Sequence, residues 1–184
     1  MSLADEIVAS RLLYEGKEIG EEEIPELSRS VLIRRARERL LYALDRRLHS
    51  EKELREKLKR DYPPEIIDAA INELDSLGLI NDEAFARAFC ENRKESLKKW
   101  PYAIRQELIL KGVSRDIIDA VLDEAFCDED DELELAKIVA RKYQNDLDTP
   151  KGRQRLFAAL TRRGFSYTVI KMAMRALCDE IIED

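Results

Sequence analysis

Apolar residues recur along this chain at helical spacing. Ile67, Ala70, Ile71 and Leu74 stand at positions i, i+3, i+4 and i+7. Ile118, Val121, Leu122 and Ala125 repeat the pattern 51 residues later, and Ile170, Ala173, Met174 and Leu177 repeat it after a further 52. Each set forms one apolar stripe on an amphipathic helix. Each is preceded by a shorter segment with two apolar anchors four apart: Leu54/Leu58, Ile104/Leu108 and Leu156/Leu160. Before each pair the spacing predicts a longer helix, over residues 30–48, 82–98 and 131–146. The expected inner faces are Ala36/Leu40/Ala43/Leu44, Phe85/Ala88/Phe89 and Leu135/Ala136/Val139/Tyr143.

The punctuation agrees with this unit. Leu74…Gly78-Leu79, Leu108…Gly112-Val113 and Leu160…Gly164-Phe165 share one pattern, a glycine after a helix with an apolar residue next. This is the signature of a Schellman helix end, in which glycine takes the left-handed conformation. Ser114 and Ser166 follow as N-caps for the next helix. Ser50 and Glu53 form a capping box, and Pro101 and Pro150 stand near helix starts, where a missing N–H costs little. The first copy lacks one residue near Asp61-Tyr62, where a glycine is expected.

The pattern therefore predicts an all-α protein with three tandem three-helix repeats, residues 29–79, 80–128 and 129–184, behind a partly irregular N-terminal arm at 1–28. A single unit buries little surface, so stacked copies are expected to share cores, giving an elongated, curved array.

Composition narrows the chemistry. The one histidine, His49, is expected on the surface or at a cap. The three cysteines, Cys90, Cys127 and Cys178, are far apart, without a CxxC, and read as reduced, helix-face hydrophobes in a cytosolic protein. No phosphate loop, dinucleotide fingerprint or nucleophile elbow is present, and no apolar run is long enough to span a membrane. The expectation is a protein with no catalytic residues, no metal site and no cofactor, and with no membrane partner. Trp100, the only tryptophan, reads first as a plug between modules and second as a base-stacking platform.

The net charge of −7, from 32 basic and 39 acidic groups, argues at first against a nucleic-acid partner. Read in place, it hides an alternation. Residues 29–60 carry 12 basic and 5 acidic groups, residues 114–135 carry 1 and 10, and residues 136–175 carry 10 and 2. Local positive faces can engage phosphates or acidic protein surfaces whatever the total. The candidate partner-binding residues are Arg46, Arg47, Lys98, Lys99, Arg105, Arg162 and Arg163.

Several segments resemble one known family in order and spacing. SEKELREKL over Ser50–Leu58 resembles the SExELrxKL signature of RecX regulatory proteins, and LGLINDEAFAR over Leu77–Arg87 resembles their xGLIDDExFAR segment. PYAIRQEL over Pro101–Leu108 with KGV over Lys111–Val113 is similar to GPxxIxxELxxKGI. RRGF over Arg162–Phe165, followed by Val169-Ile170, resembles the C-terminal unit, and Leu13–Ile19 resembles the stretch before the first. Trp100 departs from the pattern, standing where the family usually has glycine. The resemblance implies a cytoplasmic, monomeric, non-enzymatic regulator of the RecA recombinase, acting in homologous recombination, DNA repair and the SOS response. Proteins of this family bind the RecA filament along its groove and restrain its extension, ATPase and strand exchange, and some contact single- or double-stranded DNA. Residue types and spacing leave two other readings open, a stand-alone DNA-binding protein and a protein–protein adaptor.

Overall fold

A computed structural model of the chain describes residues 20–126, 131–144, 147 and 149–183. These residues form nine helices, with no strand among them. In order they are α1 (Ile24–Arg46), α2 (Glu51–Leu58), α3 (Pro64–Ser76), α4 (Asp82–Glu95), α5 (Pro101–Leu110), α6 (Arg115–Ala125), α7 (Asp131–Arg141), α8 (Pro150–Arg162) and α9 (Tyr167–Glu183). The chain divides into two compact units, Met1–Asp82 and Glu83–Asp184.

In the first unit, α1 and α3 pack along each other through matching stripes. Ala36, Leu40 and Ala43 of α1 meet Ile66, Ile67, Ala70, Ile71 and Leu74 of α3, and Leu54 and Leu58 of α2 close the core. Leu40, Leu54, Leu58 and Leu74 are fully inaccessible. Helix α1 begins at Ile24, six residues before the start expected from its apolar stripe, because Pro25 sits in its first turn, where proline is already compatible with helix. Part of the expected irregular arm is thus helical, and residues 1–19 of that arm lie outside the described residues.

Helix α2 begins as its sequence dictates. The Ser50 hydroxyl accepts the Glu53 N–H at 3.2 Å, and the Asp82 carboxylate accepts the Glu51 N–H at 2.9 Å, so two otherwise orphaned donors are satisfied. Burial pushes the Asp82 carboxyl above its ordinary range, opposed by that N–H. At the other end of α2 no left-handed residue is used. The N–H groups of Asp61 and Tyr62 both donate to the Leu58 carbonyl, Tyr62 leans on the core, and Pro63-Pro64 starts α3 directly. This geometry explains how the first repeat dispenses with a glycine.

The second unit contains two cores. Phe85, Ala86, Cys90, Ile104, Leu108, Val113, Ile118, Val121 and Leu122 form one, from α4, α5 and α6. The expected inner position Ala88 is exposed instead. The buried stripe of α4 runs through residues 85, 86, 89 and 90: Ala86 and Cys90 pack in this core, while Phe89, under the Arg93 guanidinium at 4.2 Å, is partly buried at its edge and Ala88 faces outward. Burial pushes the Cys90 thiol up to about 11, which suits a packing role. Cys127 and the Cys178 side chain lie outside the described residues. The other core joins α7, α8 and α9 through Ala136, Val139, Ala140, Leu147, Leu156, Leu160, Phe165, Ile170, Ala173 and Leu177.

All three predicted glycine helix ends are Schellman motifs. Gly78, Gly112 and Gly164 have φ of 68°, 83° and 89°. In each, the next N–H donates back to the leucine carbonyl: Leu79 to Leu74 at 3.0 Å, Val113 to Leu108 at 3.2 Å and Phe165 to Leu160 at 3.4 Å. The third motif also joins two repeats. The Trp100 N–H donates to the Arg163 carbonyl at 2.7 Å, and the indole stacks on Phe165 at 6.0 Å while meeting the edge of Phe126 at 5.0 Å. Trp100 is therefore a plug at this junction, as its first reading held.

Candidate functional site

The structure places Arg46 and Arg47 at the C-terminal end of α1, where cations complement the helix dipole. Both are exposed. Together with Arg39, Tyr42, Ala43, His49 and Lys57 they line a groove of about 510 Å³ on the first unit. Four of these seven side chains are cationic and none is a carboxylate. Arg47 leans out to Glu53 at 3.1 Å and Arg39 pairs with Asp61. Arg46 donates to the Tyr42 hydroxyl at 3.3 Å, with its guanidinium 5.8 Å from the ring centroid. Lys57 projects from α2 with no acidic partner among the described residues.

His49 closes the corner between α1 and α2. It is 4% exposed, so of the two places expected from sequence, surface or cap, the surface one is corrected; the residue stands directly before the Ser50 N-cap of α2. Its Nδ1–H donates to the Arg47 carbonyl at 2.9 Å, which fixes the ring against the turn. Burial lowers its pKa, and although the bond to the Arg47 carbonyl opposes this, the charges of Arg47 and Lys57 lower it further. The ring is thus held neutral beside a positive groove.

The remaining candidate residues lie in the second unit. Lys98 and Lys99 occupy the link between α4 and α5, and Lys98 adopts φ +50°, a left-handed conformation for a residue with a Cβ. The Lys99 ammonium and the Arg93 Nε–H, the latter at 2.7 Å, both donate to the Glu107 carboxylate. Burial alone would raise that carboxyl; the two cations outweigh it and hold it below the usual range. Arg105 pairs with Asp119. Arg163 ties the two repeats of this unit together, donating to the Ala159 carbonyl at 2.9 Å and the Leu97 carbonyl at 3.3 Å. These bonds bring the Leu97–Trp100 link beside Arg163. Arg162 is exposed, as are Lys142, Lys151 and Arg155 of the same repeat.

The seven predicted cations therefore differ in kind. Arg47, Lys99, Arg105 and Arg163 hold ion pairs or backbone bonds within the fold, Arg46 is exposed and donates to the Tyr42 hydroxyl, and Arg162 is exposed. Tyr42, Arg39 and Lys57 were missed as site residues. The signal that would have found two of them is the spacing Arg39, Tyr42, Arg46, one face of α1 at i, i+3 and i+7.

Among the described residues no helix is long and apolar enough to cross a membrane. The architecture of the described residues defines a class: tandem three-helix units, with no strand among those residues. Comparison with known proteins gives the family. Profiles described as the first, second and third three-helix domains of RecX match residues 36–74, 81–122 and 129–174 in that order. A protein named "Regulatory protein RecX" from Listeria welshimeri is 32% identical over 98% of this chain and 68% of its own length. Its namesake from Clostridioides difficile is 30% identical over 96% of this chain and 84% of its own. That from Bacillus subtilis is 33% identical over 94% and 66%. The chain thus spans about two thirds of the length of the Listeria and Bacillus relatives. A crystal structure of regulatory protein RecX superposes with a TM-score of 0.75 at 28% identity, covering 92% of this chain and 86% of the other. RecX from Lactobacillus salivarius gives 0.64 at 25% identity, covering 79% and 96%. The chain belongs to the RecX family.

Proposed function

We propose that this protein binds the RecA nucleoprotein filament along its groove and inhibits filament extension, ATP hydrolysis and strand exchange. The observation that carries this reading is the ordered match of nearly the whole chain to proteins named as regulatory. On this reading the protein is a cytoplasmic monomer that works by occupancy, without catalysis, and its three repeats divide at about residues 79/80 and 128/129. Arg46, Arg47, Lys98, Lys99, Arg105, Arg162 and Arg163 are the proposed contact residues, facing acidic RecA surface or filament DNA.

Their internal bonds rank them. Arg162, which is exposed, and Arg46, which donates to the neutral Tyr42 hydroxyl, give up less to form new bidentate contacts than Arg47, Lys99, Arg105 and Arg163, which must first break ion pairs or backbone bonds within the fold. Replacing both Arg46 and Arg162 by glutamate is expected to weaken co-sedimentation with RecA–DNA filaments while leaving the helical circular-dichroism signal intact. Co-sedimentation equal to that of the wild type would show that neither arginine faces the filament. A protein that failed to sediment with filaments even unmutated would remove the reading itself.

A further inference from the structure

We infer that the acidic N-terminal segment of this chain, residues 1–19, docks on the first unit, seats Ile7 and Val8 in an apolar slot at the end of α1, and there screens Arg46 from outside partners. The consequence rests on the proposed function, in which Arg46 is a contact residue; the contact itself does not.

A slot of about 610 Å³ opens on the first unit, lined by Leu41, Tyr42, Leu44, Asp45 and Leu48 at the end of α1 and by Leu79 after α3. Leu41, Tyr42, Leu48 and Leu79 are all exposed. Single exposed leucines are ordinary on a protein surface, but a contiguous set in a concavity marks a docking face. The slot adjoins the basic groove, and the two share Tyr42.

Reach, charge and residue order select the occupant. Residues 1–19 join the described chain at Gly20, just before α1. The slot begins at Leu41, about 25 Å from Ile24 along the helix axis at 1.5 Å per residue. Ile7 stands 13 residues before Gly20, enough for about 43 Å of extended chain, so it reaches the slot with slack. Residues 1–28 carry 8 acidic and 2 basic groups, whereas residues 29–60 carry 5 and 12, so the two stretches attract. Within the segment, Asp5-Glu6 directly precedes Ile7-Val8, and Arg11 follows. On the slot, Arg46 is held beside the Tyr42 ring by its bond to the hydroxyl, and Asp45 is the one carboxylate among the described lining residues. Seating Ile7 and Val8 between them leaves the acid pair for Arg46 and Arg11 for Asp45. A second copy of the chain carries the same segment, but tethering gives the segment in the same chain an effective concentration on the order of millimolar. At micromolar protein the intramolecular contact therefore wins. An anionic partner surface must displace Asp5 and Glu6 before it engages Arg46, and its apparent affinity falls with the fraction of chains in which the slot is filled.

The test uses the full chain with the photo-cross-linker p-benzoylphenylalanine in place of Tyr42, an aromatic-for-aromatic exchange at an exposed position. Irradiation without RecA, followed by trypsin, is expected to join the Leu40–Arg46 peptide to Met1–Arg11. Irradiating a mixture with nitrogen-15-labelled protein is expected to give no hybrid adduct. Ile7→Asp with Val8→Asp is expected to abolish the adduct. In the otherwise wild-type chain the same pair is expected to strengthen co-sedimentation with RecA–DNA filaments about threefold, with the helical circular-dichroism signal unchanged. Absence of the adduct, hybrid adducts as abundant as unmixed ones, or unchanged filament affinity in the double variant overturns the inference. If the wild-type chain forms the adduct but does not sediment with filaments, the proposed function falls while the contact stands.

Discussion

Replacing Gly164 by alanine tests how two repeats of the second unit are held together. An alanine there incurs two separate penalties. The first is backbone strain at φ +89°, about 1–2 kcal/mol for a left-handed residue with a Cβ, partly offset by the less flexible unfolded chain. The second is steric. A Cβ at this site would lie 2.6 Å from the Ala103 nitrogen, 2.9 Å from the Ala103 Cβ and 3.2 Å from the Trp100 carbonyl oxygen. Two of these are main-chain atoms, which cannot rotate away, so relief requires the first turn of α5 to retreat by about 0.8 Å, to ordinary contact at 3.4 Å. That retreat weakens the Trp100 N–H bond to the Arg163 carbonyl, worth about 1 kcal/mol, and opens the Trp100–Phe165 stack, worth about another 1 kcal/mol.

The expected loss is therefore about 3 kcal/mol. Gly78 supplies the comparison: its φ is +68°, yet an added Cβ would meet nothing within 4 Å, so Gly78→Ala carries the strain alone, about 1 kcal/mol. Urea denaturation followed by circular dichroism gives both values. Native tryptophan fluorescence gives a second readout, because Trp100 is the only tryptophan and lies at the junction. Gly164→Ala is expected to shift its emission to the red, and Gly78→Ala to leave it unchanged. Equal losses in the two variants with unaltered emission would refute the reasoning.

Three further outcomes follow from the same structure. The His49 pKa is lowered in the fold, chiefly by burial, so below about pH 6.5 the unfolded chain binds a proton that the folded unit does not. Stability is then complete above pH 6.5 and falls as the pH drops through that value, and urea midpoints measured across this range should show a slope that His49→Gln flattens. Lys98→Gly relieves a left-handed φ of +50° and is expected to raise stability by up to about 1 kcal/mol, read as a higher urea midpoint; a loss would mean that the lysine side chain makes a compensating contact. Leu40→Ala opens a cavity between α1 and α3, where Leu40 is fully buried, and is expected to cost about 3 kcal/mol by thermal or urea denaturation.

The helices were legible because their signals are local. The apolar stripes 67/70/71/74 and 118/121/122 are buried as the spacing required, and the three Leu…Gly-apolar ends adopt the left-handed turn that the residue types demand. What sequence could not fix depends on contacts far apart in the chain. Which face of α4 turns inward is decided by what α5 and α6 pack against, Ala86 and Cys90 beside Phe85, and not by period alone, so the expected place of Ala88 on that face is corrected. His49, between a basic stretch and a helix start, reads from sequence as a surface or cap residue, and the turn between α1 and α2 buries it. The cations illustrate the same limit. Arg105 and Arg162 are indistinguishable as letters, but one pairs with Asp119 on the next helix and the other faces solvent. Tyr42 lies off the inner face expected from Ala36, Leu40, Ala43 and Leu44, and it is exposed accordingly.

We propose that this chain restrains RecA. The most direct measurement is RecA-mediated strand exchange, with the purified protein added to preformed filaments. Slower exchange and slower ATP hydrolysis are expected as the protein is raised, relieved by Arg46→Glu with Arg162→Glu. Exchange that proceeds undiminished at an excess of the wild-type protein would contradict it.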